Sequence, residues 1–145
     1  IAMSCAIVVV GCSKKETPEQ QIRKVIDAGA AALENRDASA AAATLSDDYL
    51  DKGHRDKKKL KGLAFFALQQ GPVIVSVQNV DIHVDGDTAT AQLKVLAVQG
   101  SAELKTASDL LPTNARAFDL TLRFHKEGSA WKVTSIDGLH LGGFD

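Results

Sequence analysis

The stretch that decides the fold is "VIVSVQNVDIHVDGDTATAQLKV", residues 73–95. Apolar and polar residues alternate along it, the period of a strand with one buried face. Val73, Val75 and Val77 hold one phase, whereas Val80, Ile82 and Val84 hold the other. One extra residue must be absorbed near Gln78 or Asn79, which predicts a β-bulge and a bend in the sheet. Asp85-Gly86-Asp87 then predicts a tight hairpin. It leads into a second strand with Ala89, Ala91, Leu93, Val95 and Ala97 on one side.

The alternation continues downstream. A polar loop from Gln99 to Ala115 leads to a third strand through Phe118, Leu120, Leu122 and Phe124, and Glu127-Gly128-Ser129 turns into a fourth with Trp131 and Val133. Upstream the period is helical. Thr17 caps a helix with proline at its first position and Gln20 three residues after the cap, and Ile22, Val25, Ile26, Gly29, Ala30 and Leu33 form its apolar face. This helix is expected from Pro18 to Asn35. Asp37 caps a second through "ASAAAATLS", with Ala41 and Leu45 inward. A third starts near Asp56, carries Leu60, Leu63, Ala64, Ala67 and Leu68 inward, and stops at Gly71-Pro72.

Helices at the front and antiparallel strands at the back predict an α+β fold, the helices packed on one face of a curved antiparallel sheet. At 145 residues the chain has room for one such domain, assigned to residues 18–145. The composition, 45% hydrophobic and 24% charged, is that of a folded globular chain. Seventeen basic against 18 acidic residues create no field that would gather nucleic acid, and one tryptophan and one tyrosine offer few stacking platforms.

Residues 7–16, "IVVVGCSKKE", are read apart from this domain. The apolar run is far shorter than the ~20 residues of a membrane-spanning helix and turns abruptly polar. Val9-Val10-Gly11-Cys12 resembles the cleavage motif of bacterial lipoproteins. The resemblance implies a signal segment, residues 1–11, cut before Cys12, whose thiol receives a diacylglyceryl group and whose new amino terminus is acylated, with palmitate as the typical chain. Residues 12–17 would then be a lipidated tether. Ser13 in place of aspartate implies, in a Gram-negative cell, an outer-membrane anchor facing the periplasm. Multiple acyl chains give stable anchoring where one is marginal.

The helix followed by "NRDASAAAATLSDDYLD", the "VDIHVDGDTATAQLKV" hairpin and the closing "RFHKEGSAWKVTSID" resemble the nuclear transport factor 2-like superfamily, a cone-shaped α+β barrel that includes ketosteroid isomerases and scytalone dehydratase. The enzymes of that superfamily carry acid or base residues on the concave side. Here the concave phase, from Ala89 to Ala97 and from Phe118 to Phe124, contains no titratable group. Thr90, Gln92, Lys94, Asp119, Thr121, Arg123 and His125 occupy the opposite, solvated phase.

Three residues are the candidates for a site inside the cone. Tyr49 follows the second helix, and Trp131 and Asp137 share a phase with Ser135 on the last strand. Asp137 points inward only if no bulge intervenes; otherwise Tyr49 and Trp131 cap the core with polar tips in water and Asp137 opens the exit loop. His54, His83, His125 and His140 show no metal-ligand spacing, and "DIHVDGD" is too short a ligand series for a calcium loop. No metal or cofactor is expected. Lys57, Lys58, Lys59 and Lys61 could touch anionic headgroups beside Lys14 and Lys15, or form a solvated helix face.

The sequence therefore points to a lipid-anchored envelope protein whose domain binds a small apolar ligand or a protein partner, a homodimer being compatible with either. The alternatives are a hydratase- or isomerase-like enzyme using Asp137 with Tyr49, and an anchored inhibitor or immunity protein.

Overall fold

Three side-chain caps start three helices in the computed structural model, which describes residues 14–100 and 115–140. The segment assigned to the signal, Cys12 and Ser13 of the tether, and residues 101–114 of the loop before the third strand lie outside the described residues. Helix α1, Pro18–Glu34, is entered through a complete capping box, in which Thr17 accepts from the Gln20 amide and the Gln20 side chain accepts from the Thr17 amide. Asp37 caps α2, Ala38–Ala43, and Asp56 caps α3, Lys57–Gln69. Helix α2 ends three residues earlier than the sequence suggests. The chain leaves it to join the sheet: the Thr44 carbonyl accepts from the Val133 amide, and the Ser46 amide donates to the Val133 carbonyl.

Four strands, β1 (Val73–Asp85), β2 (Thr88–Gln99), β3 (Ala115–Glu127) and β4 (Ala130–Asp137), form one antiparallel meander in the order β1-β2-β3-β4. Two-residue turns with Gly86 and Gly128 at positive φ join β1 to β2 and β3 to β4. The bulge in β1 lies where the phase change demands it. The register slips between Gln78 and Asp81, with Asn79 at φ 53°, a left-handed conformation asparagine tolerates. Val73, Val75 and Val77 thereby share the concave face with Ile82 and Val84.

A second bulge interrupts β4. Arg123 pairs with Ser135 and Phe124 with Val133, so Thr134 is the extra residue. Its carbonyl accepts from the Leu50 amide and its hydroxyl donates to the Arg123 carbonyl, which gives both polar groups partners at the break.

Helix α1 packs across the sheet against β1 and β4, and α2 bridges α1 to α3. At one end of the concave face Ile22, Ala89, Ala91, Phe124 and Trp131 close into a solid core. Toward the other end the helices and sheet part. Among the described residues no helix is long and apolar enough to cross a membrane.

Candidate functional site

The space between helices and sheet holds a cavity of about 510 Å3, within the size range of small-molecule sites. Its origin is legible in the side chains. The helical wall presents Gly29, Ala30, Ala41, Ala42, Ala64 and Ala67, which are too small to reach the sheet. A Cβ added at Gly29 would meet nothing nearer than the Thr44 hydroxyl at 4.0 Å. The sheet wall presents Leu93, Val95, Ala97, Phe118, Leu120 and Leu122. The predicted concave row is therefore split by function: Ala89, Ala91 and Phe124 belong to the filled end, and the others line the open one.

Among the described residues no aspartate, glutamate or histidine lines this cavity. The Thr134 bulge removes the carboxylate that could have done so. Beyond the bulge Ile136 pairs with Leu122 and lines the cavity, whereas Asp137 pairs with Thr121 on the opposite phase and forms an ion pair with Lys52 at 3.2 Å. The condition on which an inward Asp137 depended is not met. Extending the same alternation one step before Phe118 reaches Arg116, which pairs with Ala97 and lines the cavity. The strand begins earlier than the polar loop suggested, and so this residue escapes a reading that starts at Phe118.

Tyr49 and Trp131 are not cavity residues either. Trp131 lies in the closed end and its indole N–H donates to the Gln21 side chain at 3.2 Å. Tyr49, 2% exposed, donates its hydroxyl to Asp51 Oδ2 at 3.2 Å. Their polar tips are thus satisfied by protein groups and not by water. Asp51 and Arg55, both buried, complete a cluster that the sequence did not reveal as such: Arg55 Nε donates to Asp51 Oδ2 at 2.8 Å, the Arg55 amide to Asp51 Oδ1 at 3.1 Å, and Arg55 Nη2 to the Leu139 carbonyl at 3.3 Å. The only signal was a carboxylate and a guanidinium four residues apart in "DKGHR", residues 51–55.

Burial pushes the Asp51 carboxyl up, but the hydrogen bonds and charge of Arg55, with the Tyr49 hydroxyl, outweigh it and hold the group below the usual carboxylate range. Burial, followed by the adjacent Asp51 charge and the hydrogen bond donated to it, raises Tyr49 above its ordinary range. A tyrosine so raised is a poor base at neutral pH, and an ion-paired aspartate is a poor acid. The cluster ties the loop after α2 to the end of β4. No group of three His, Cys, Asp or Glu residues among the described ones is arranged to hold a metal ion.

No family model and no curated protein matches the chain. Solved structures do. A protein of unknown function from Pseudomonas putida, described as nuclear transport factor 2-like, superposes with a TM-score of 0.66 at 18% identity, over 81% of this chain and 82% of its own. A protein from Novosphingobium aromaticivorans, described as nuclear transport factor 2-like with a cystatin-like fold, gives 0.64 at 17% identity, over 86% and 82%. This chain has the nuclear transport factor 2-like fold. A third neighbour with that fold, from Streptomyces avermitilis and provisionally described as a dehydratase, gives 0.64 at 14% identity, over 81% and 92%. At these identities the likeness establishes the cone and leaves the chemistry to the residues within it.

Proposed function

We propose that the protein is a lipid-anchored component of the bacterial cell envelope, placed by Cys12 at the outer membrane facing the periplasm, whose cone binds a small apolar molecule without transforming it. What supports the binding half is the cavity of about 510 Å3, whose largely apolar walls carry no aspartate, glutamate or histidine among the described residues. A hydratase or isomerase needs a group positioned to move a proton. Tyr49, Trp131 and Asp137 all have other partners outside the cavity. The anchoring half rests on the resemblance of Val9-Val10-Gly11-Cys12 to the lipoprotein motif.

Saturable binding of an environment-sensitive apolar fluorophore tests the first half. The protein carrying Cys12→Ala should bind it, and Ala97→Phe, which projects a ring into the cavity, should abolish binding while the melting profile stays cooperative. If no compound in a panel of apolar probes binds the unfilled cone, the ligand reading fails. For the second half, Cys12→Ala should release the protein from the membrane fraction of producing cells; retention would refute the anchor. A protein partner is the second reading. It is favoured by Ile74 and Leu96, 46% and 37% exposed on the outer face of β1 and β2, where a second copy could also seat.

A further inference from the structure

A charge on an apolar wall is costly unless a counter-charge or water meets it. Two ionisable side chains line this cavity, Lys61 on α3 and Arg116 on β3, and both are cations. Several other cations have carboxylate partners: Arg23 has Asp27, Lys52 has Asp137, Lys57 has Asp47 and Lys94 has Asp119. Among the described residues neither Lys61 nor Arg116 forms such an ion pair, but Lys61 also borders a surface depression that holds Asp47 and Asp56, which leaves Arg116 as the cation for the ligand. Arg116 occupies the concave phase two residues before Phe118, on a strand that could have carried another apolar side chain there.

The polarity of the cavity is also graded. Arg116 stands beside Gln99 on the neighbouring strand, and Gln99 donates to the Ala67 carbonyl in the last turn of α3, close to Gln70. Going the other way along β3, the wall is Phe118, Leu120 and Leu122, and the filled core begins at Phe124. From Arg116 to Leu122 the strand advances roughly 20 Å, at about 3.3 Å per residue, which accommodates an extended alkyl chain of medium length.

We propose that the ligand is a single-chain amphiphile with an anionic head, its alkyl chain lying along β3 and its carboxylate or phosphate held by Arg116. The proposal rests on the reading of the cone as a ligand site and adds the ligand's charge. A guanidinium fork matches either head in a bidentate manner. A neutral apolar ligand would leave Arg116, which is exposed, to water alone.

The test uses dansyl-undecanoic acid and its methyl ester, which share a fluorophore and a chain and differ in charge, titrated into the protein carrying Cys12→Ala. The acid should bind about ten-fold more tightly than the ester, an advantage that shrinks with added salt. Arg116→Gln, at an exposed position, should weaken the acid about three-fold and leave the ester unchanged. Dodecanoate and dodecyl phosphate should displace the acid better than dodecanol, and the stronger of the two anions identifies the head. Equal affinity for acid and ester, or equal loss of both in Arg116→Gln, overturns the charge inference alone. Absence of binding by both overturns it together with the cavity reading.

Discussion

Asp51 makes the strongest demands of any side chain in this fold, because its carboxylate is buried and every partner is specific. Tyr49 and Arg55 both donate to it, and removing one member of such a buried pair typically costs about 3–5 kcal/mol. The direction of its titration sets an acid limit. Its folded pKa is lowered, so the stabilisation is complete above the unfolded value of about 3.9 and is lost as the pH falls below it toward the folded value. Tyr49 sets the alkaline limit with the opposite sign. Its folded pKa is raised, so stability is full below about pH 10 and declines as the pH rises past the unfolded value. Thermal melts across pH should therefore show Asp51→Asn less stable at neutrality but flatter below pH about 4, and Tyr49→Phe flatter above pH about 10. An unchanged acid or alkaline slope in the respective variant would assign that limit to other groups. Arg116 shows why single residues were hard to place from sequence: its phase is readable only once the strand is known to begin before Phe118.

At the scale of elements, what could be read was whatever local chemistry dictates. Thr17, Asp37 and Asp56 start helices because their side-chain oxygens satisfy free amides, and all three signals are written in a few consecutive residues. The β1 bulge was readable because Val73, Val75 and Val77 before it and Val80, Ile82 and Val84 after it hold opposite phases. The β4 bulge was not, because "TSID" offers one apolar residue, Ile136, as the sole sign of a phase change, and the partners that hold Thr134 come from Leu50 and Arg123. Such long-range hydrogen bonds have no local signature. Helix α3 goes against local preference. Lys57, Lys58 and Lys59 fill its first turn, where the macrodipole disfavours positive charge, and Phe65 and Phe66 are 58% and 52% exposed further along. This helix forms one wall of the cavity, and its sequence favours what lies around that wall over its own stability.

For the whole molecule, the concave face is divided between two tasks. One end buries Ile22, Phe124 and Trp131 and supplies the apolar stabilisation of the fold; the other keeps its walls apart with glycine and alanine. The general cone was readable from the order of helices and strands, but whether it was hollow was not, since small side chains leave space only when the backbone holds them apart. Ala97→Phe should therefore have two measurable effects, loss of ligand binding and a melting temperature equal to or above that of the parent, as expected when a cavity is filled. A fall of several degrees would mean that the space closes in solution and that the ring is forced into packed atoms. The Thr134 bulge bears on the same division. If Thr134 itself paired with Arg123, every later residue of β4 would slide by one, which would bring the carboxyl of residue 137 onto the cavity face and send Ile136 away from it. The register of one edge strand, held by a single unpaired residue, thus separates an interior lined by Ile136 from one that would carry a carboxylate.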